Sequence, residues 1–297
     1  MARQPLGEVF GYPIGDMSAE AVRHRSNRLC PFGNNVPNCT KDKANDPLGV
    51  CSVIHDDGMP PTATCPVRFR EGWVIAEDAA KFFFPADAHW TSLTEVRLKD
   101  ADGRSAGNID LVLVAYDDRG RVVDFGSVEV QAVYISGNIR RPFDAYMANP
   151  VANAAMDWSS ESLYPRPDFL SSSRKRLVPQ LMYKGSILRE WRKKQAVVLD
   201  RAFFATLPDL PTVPQAEADL AWMVYDFVQD PTSGRWSMRQ DEVVYTSFEA
   251  SMLRVSTTAA GPMKDFLDTL QTKLDEKLEP TDVERRTISE LGEPWRS

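Results

Sequence analysis

The chain has 297 residues, 43% hydrophobic and 26% charged, enough core-forming side chains for one large domain or two modest ones. No apolar run reaches membrane-spanning length and the N-terminus lacks a secretory apolar block, so a cytoplasmic protein with no membrane partner is expected. The net charge of −7 weighs against a polyanionic partner only if charge is evenly spread, and it is not.

Residues 1–70 are rich in Pro, Gly, Asn and Asp and hold all four cysteines, Cys30, Cys39, Cys51 and Cys65. That composition is poor at building helix or strand and predicts a loop-rich region. Disulfides rarely persist in the cytoplasm. Four thiolates on zinc or iron in a closed tetrahedral site are therefore favoured over reduced or disulfide-linked cysteines. The spacing C-x8-C-x11-C-x13-C contains no CxxC knuckle, so clustering and compartment carry this expectation. His55, close to Cys51, is an alternative ligand or a solvated loop histidine.

Residues 71–297 form the second predicted region. EGWVIAEDAAKFFF opens a helix, and SLTEVRLKD follows in an open state. NIDLVLVAY, DDRG and RVVDFGSVEVQAVYI read as a β-hairpin, two β-branched runs about a tight Asp/Gly turn. Residues 137–170 are broken by Pro and Asn. RKRLVPQLMYKGSILREWRKK is helical in part, with Pro179 interrupting it or starting a turn. QAVVLD reads as a buried strand, and LAWMVYDFVQD with RWSMRQDEVVYTSF as a second hairpin. PMKDFLDTLQTKLDEKL predicts an amphipathic helix whose stripe of Met263, Phe266, Leu267, Leu270, Leu274 and Leu278 faces a core. The whole predicts an α/β (α+β) fold built on hairpins rather than repeated βαβ units.

Between Arg166 and Arg201 ten bases stand against three acids, a local charge of +7. Such a block either binds a polyanion or is a solvated helix face.

The hairpin carries the chemistry. With residues 117–120 as its turn, Asp110 lies opposite Ser127, Glu129 is its diagonal neighbour, and Gln131 continues the same face. Two carboxylates so placed can hold one hard divalent cation such as Mg²⁺, which polarises a phosphate and presents a bound water. Gln131 can orient that water but cannot take up its proton. Glu95, in SLTEVRL, offers a further acidic ligand or a base. The alternative is a polar, wet hairpin face. DLVLVAY argues against it, being apolar on both faces, where an unpaired carboxylate is costly. The chain has no phosphate-binding glycine loop, no G-x-S-x-G elbow and only His24, His55 and His89, which disfavours nucleotide-binding, serine-hydrolase and histidine-dependent chemistries.

In order and spacing, LCPFGNNVPNC, LGVCSV, TCPVRFREGW, NIDLVLV and GSVEVQAVY resemble the NotI family of type II restriction endonucleases, from about Phe10 to about Ile135. The resemblance implies a PD-(D/E)xK nuclease core in which glutamine, here Gln131, replaces the usual lysine. It implies that Asp110 and Glu129 bind Mg²⁺, that Glu95 is an acidic residue on the preceding helix, and that the four cysteines hold a structural metal, iron or zinc. It further implies a prokaryotic homodimer that cleaves double-stranded DNA at a palindromic, GC-rich, GGCC-containing site, with a companion methyltransferase acting on the same site. Arg174, Lys175, Arg176, Lys184, Arg192, Lys193 and Lys194 become candidate phosphate contacts, and Arg140, Arg141, Arg174 and Arg176 candidate base readers. A metal-stabilised DNA-binding protein without catalysis, or an acidic enzyme unrelated to DNA, are the competing readings.

Overall fold

The computed structural model describes residues 4–33, 38–43, 45–55 and 60–278. The chain divides into two compact units, Met1–Ser256 and Thr257–Ser297. The first unit begins with β1 (Leu6–Val9), β2 (Tyr12–Pro13), α1 (Ala19–Ser26), β3 (Asp42–Lys43), β4 (Asp46–Pro47), β5 (Val50–Val53) and β6 (Thr62–Ala63). A four-stranded sheet in the order β2-β1-β5-β6 and the small β3–β4 pair therefore organise the loop-rich, cysteine-bearing region. A 3₁₀ segment, Pro66–Trp73, leads into α2 (Val74–Phe83).

The central sheet has six strands, β7 (Trp90–Lys99), β8 (Ser105–Tyr116), β9 (Val122–Gln131), β12 (Gln195–Asp200), β13 (Leu220–Gln229) and β14 (Trp236–Thr246), in the order β14-β13-β12-β9-β8-β7. Strands β7, β8 and β9 run antiparallel, as do β13 and β14. Strand β12 runs parallel to both β9 and β13, so the fold contains two parallel crossovers that hairpin reading alone did not predict. QAVVLD is buried along its whole length, as a central strand between two parallel neighbours requires.

Between β9 and β12 lie β10 (Tyr134–Ser136), α3 (Arg140–Ala148), α4 (Pro150–Asn153) and β11 (Arg166–Asp168), with β10 and β11 paired. A continuous helical path follows: α5 (Phe169–Ser172), a π-turn at Ser173–Leu177, α6 (Val178–Gln180), a second π-turn at Leu181–Gly185, and α7 (Ser186–Glu190). Pro179 does not interrupt this path. Its missing N–H and ring demand room at the preceding turn, and the π-turn at Ser173–Leu177 supplies it.

Side chains on the two faces of the sheet enter different cores. Leu111, Leu113, Ala115, Val128 and Ala132 pack with Ala76, Ala79 and Phe83 of α2. Gly126 makes that packing possible, since a Cβ there would stand 2.4 Å from the Phe83 ring. On the opposite face Val112 and Val114 meet Leu188 of α7. Beyond β12 come α8 (Arg201–Phe204) and α9 (Phe248–Ser256), with Phe203, Phe248, Leu177 and Leu181 around Trp222.

In the second unit, α10 (Met263–Leu278) is helical as its periodicity predicts. Its stripe of Met263, Phe266, Leu267, Leu270, Leu274 and Leu278 is exposed, where a core-facing stripe was expected. Among the described residues no helix is long and apolar enough to cross a membrane.

Candidate active site

Three acidic side chains come from three adjacent strands. Thr94 pairs with Leu111 and Val96 with Ile109, so Glu95 stands across from Asp110. On the other side Leu111 pairs with Val128 and Val112 with Ser127. Ser127 is thus opposite Val112, not Asp110, and the same register carried one step further brings Asp110 level with Glu129. The difference has a local origin. Five residues separate Tyr116 from its partner Val122, and a register shift lies between Ala115 and Tyr116. Two one-residue slips preserve parity, so Asp110, Glu129 and Gln131 still share the face that the hairpin predicts.

Beyond the Leu111–Val128 pair the ladder gives way to a side chain: Val130 donates its backbone N–H to Asp110 Oδ2 at 2.9 Å. Strand β9 is meanwhile held in place by β12, where Val197 pairs with Glu129 and Leu199 with Gln131. Gln131 is buried, and its Nε2 donates to the Ala132 carbonyl at 2.8 Å. Glu95 lies on a strand and not on the preceding helix, because α2 ends at Phe83 and the long β8 offers SLTEVRL a partner along its length. It is exposed, accepts a 3.4 Å hydrogen bond from Asn108, and adopts φ +55°. A left-handed backbone at a non-glycine residue costs about 1–3 kcal/mol and collects at functional sites.

Lys184 enters from the second π-turn. Its Nζ donates to both carboxylate oxygens of Glu129 at 2.6 Å and to the Asn108 carbonyl at 2.9 Å, and the residue is only 6% exposed. The basic block suggests a surface phosphate contact at this position; the structure buries Lys184 inside the carboxylate cluster. Burial, then the charge of Asp110, pushes the Glu129 carboxyl up to about 7 despite Lys184. Burial also raises Asp110, with the Val130 N–H and Lys184 opposing and Glu95 adding to the rise. Two close carboxylates in a shielded pocket resist joint ionisation without a cation between them.

The other sequence-predicted DNA contacts have mixed surroundings. Arg140 pairs with Asp42 at 2.6 Å and Asp46 at 2.9 Å, and Arg141 pairs with Glu161. Arg174 and Lys175 are exposed, and Arg176 is exposed with its guanidinium 4.5 Å from the Tyr134 ring centre. Sequence reasoning missed Arg70. It lines a cleft of about 390 Å³ with Cys30, Cys39, Cys65, Lys41 and Thr94, the residue before Glu95. Its positive charge acts on both Cys30 and Asp110. No local pattern in VRFREGW marks it out.

No disulfide joins any of the four cysteines. Leu29 and Asn38 form an antiparallel bridge that draws Cys30 and Cys39 together, Cys51 lies in β5, and the Thr64 N–H bonds to the Cys51 carbonyl just before Cys65. The four line one cavity of about 10 Å³, roughly the space of one water-sized sphere. Burial pushes the thiols of Cys30, Cys39 and Cys51 up, and the charge of Cys65 adds to each. A cation in that cavity would reverse this effect. Among the described residues no group of three or more His, Cys, Asp or Glu side chains is placed to hold a metal ion. His55 sits at the edge of Phe169, with ring centres 6.4 Å apart, and does not line the cavity.

No curated protein matches the chain. The family model of restriction endonuclease NotI matches residues 8–238, a span that takes in the four cysteines, Glu95, Asp110, Glu129, Gln131 and Lys184. The chain belongs to the NotI restriction endonuclease family, and it is a site-specific deoxyribonuclease of type II.

Proposed function

We propose that the chain is a Mg²⁺-dependent homodimer that cleaves double-stranded DNA at a palindromic, GC-rich, GGCC-containing site from a PD-(D/E)xK-type core. The observation that carries this is the alignment of Glu95, Asp110 and Glu129 across three adjacent strands, with Gln131 on the same face. Asp110 and Glu129 would hold the ion, which would polarise the scissile phosphate and lower the pKa of a bound water. Gln131, fixed by its bond to Ala132, can orient a water but cannot accept its proton. Glu95 is the exposed carboxylate across from Asp110 and is the candidate proton acceptor.

A palindromic target needs two such sites related by a two-fold axis. The exposed Arg174, Lys175 and Arg176 are the basic side chains best presented to a duplex, whereas Arg140 and Arg141 would exchange carboxylate partners for DNA. The Cys30, Cys39, Cys51 and Cys65 thiolates form a soft donor set suited to iron or zinc, a structural ion that braces the loops beside Arg70 and β7. A companion methyltransferase acting on the same site would protect the host DNA.

Digestion of unmethylated genomic DNA with Mg²⁺, followed by sequencing of the ends, tests this reading. Discrete fragments with a shared GGCC-containing terminus are expected. Retardation of DNA without cutting would favour a metal-stabilised DNA-binding protein.

A further inference from the structure

Lys184 is a cation buried against a carboxylate of the site. An ammonium has three donors, and all three are used inside the site: two on Glu129 at 2.6 Å and one on the Asn108 carbonyl at 2.9 Å. Its aliphatic stem passes Gly107, where a Cβ would stand 3.8 Å from Lys184 Cδ. The π-turn that presents it is tied down by Gln195, whose Nε2 donates to the Gly185 carbonyl at 3.0 Å. Gly185 itself has no room for a side chain, since a Cβ would meet the Phe248 ring at 2.4 Å. The position two residues after Glu129 holds an uncharged glutamine, so the cation beside Glu129 is supplied from 55 residues further along the chain.

We propose that Lys184 is a resident counter-cation and positioning residue of the active site, which occupies Glu129 until a divalent ion takes at least one of its oxygens. Each Glu129 oxygen already spends an acceptor site on Lys184, so an ion that binds there shares the carboxylate with the ammonium and is repelled by its charge. The ammonium therefore raises the metal concentration at which the site fills. It also holds Glu129 in the orientation that the ion needs. Once displaced it stays tethered within the site, where its charge faces the same region as the scissile phosphate. This inference rests on Asp110 and Glu129 being the metal-binding pair.

The test uses Mn²⁺ alone, without DNA, at pH 8, with free Mn²⁺ followed by electron paramagnetic resonance. Lys184→Met is expected to bind Mn²⁺ about tenfold more tightly, because a like charge a few ångströms from the ion has been removed. In cleavage assays the same variant should need less Mg²⁺ for half-maximal rate yet reach a lower maximal rate. Lys184→Arg, which keeps the charge, should return Mn²⁺ affinity toward wild type. Should Lys184→Met lose its native circular dichroism, Lys184→Gln serves as the uncharged variant. Asp110→Asn separates the two levels of the argument. Undiminished Mn²⁺ binding by Asp110→Asn overturns the metal-site reading itself. Loss of binding in Asp110→Asn together with unchanged or weaker binding in Lys184→Met overturns the role of Lys184 alone.

Discussion

Two ion pairs buried among the described residues are built to different plans. In the N-terminal region Glu8 and Arg68 are both fully buried, and most of their hydrogen-bonding capacity is used. Arg68 gives Glu8 two hydrogen bonds, at 2.9 and 3.1 Å, and reaches Glu71 at 2.7 Å and the Trp236 carbonyl at 2.9 Å. Ser52 adds a third donor to Glu8 at 2.9 Å. Burial alone would lower Arg68, but Glu8 and Glu71 more than offset it and hold the guanidinium charged. This pair ties β1, the 3₁₀ segment and β14 together. Around Glu129 the donors are fewer: Lys184 gives two to Glu129 and none to Asp110, which accepts only the Val130 N–H, and Glu95 stands close by. Both clusters set two carboxylates against one cation. Many fixed donors make a brace, whereas few donors leave a surplus of carboxylate capacity that favours a further cation.

The sharpest test of this contrast is removal of the surplus. Asp110→Ala or Glu129→Ala should lower cleavage by on the order of 10³-fold or more, as loss of one member of a catalytic unit does, while far-ultraviolet circular dichroism stays native. Full cleavage by either purified variant would break the active-site assignment. Arg68→Met should do the converse. Leaving Glu8 buried without its partner costs roughly 3–5 kcal/mol, visible as a large drop in melting temperature. Mn²⁺ affinity of the folded fraction should not change. A wild-type melting curve for Arg68→Met would remove the distinction between brace and site.

The strands and the carboxylate face were legible in the chain, the two buried cations were not, and the difference has a physical reason. The β8–β9 hairpin and β12 are strong signals because runs such as DLVLVAY and QAVVLD are β-branched and short. The shared face of Asp110, Glu129 and Gln131 followed from alternation, which survived a turn one residue longer than predicted and a bulge beside it. SLTEVRLKD has no clear state from its residues, because an edge strand such as β7 takes its state from its partner more than from its own composition, and the helix expected for Glu95 came from the family resemblance alone. Lys184 was legible only as one base in a basic block. Its role depends on a π-turn, on the close approach at Gly185 and on pairing across 55 residues, none of which leaves a local pattern. Arg68 was equally hidden, since its partner Glu8 is 60 residues away.

Asp200 sharpens the comparison further, being a buried carboxylate with no basic partner among the described residues. It accepts backbone N–H groups from Ala63 at 3.2 Å and Ala202 at 2.8 Å, yet burial still raises it to about 7. Its folded value lies above its unfolded one of 3.8. The stability it contributes is therefore complete below that value and lost as pH rises through about 7. At about 1.4 kcal/mol per unit, the melting temperature should fall measurably between pH 4 and 8. Asp200→Asn cannot ionise and should flatten that slope, whatever its effect on the absolute melting temperature. An unaltered slope would mean that backbone donors alone keep Asp200 charged.

Gly185→Ala probes the scaffold of the site without touching its charges. The added Cβ would need the Phe248 ring to move from 2.4 Å, a form of overpacking that costs about 1–3 kcal/mol. Because Lys184 precedes it on the same π-turn, cleavage should fall by more than the stability loss explains. Unchanged cleavage in a destabilised Gly185→Ala would show that the Lys184 contact tolerates displacement of its turn.

The smallest effects are expected at the surface, where the same contrast recurs in weaker form. Arg140 is already paired with Asp42 and Asp46, whereas Arg174 and Lys175 are exposed on the π-turn at Ser173–Leu177. An exposed pair of this kind is worth about 0.2–1 kcal/mol, so Arg140→Ala should shift the melting temperature only slightly. A basic side chain that contacts a phosphate contributes about one unit to the dependence of log K on log salt concentration. Arg174→Ala should therefore reduce the salt dependence of DNA binding by about one unit, and Arg140→Ala should leave it unchanged. Measuring binding at several salt concentrations in Ca²⁺, which limits cutting, decides between them. If Arg140→Ala alone lowers the slope, the Asp42 and Asp46 contacts are a resting state that DNA displaces, as Mg²⁺ is proposed to displace Lys184 from Glu129.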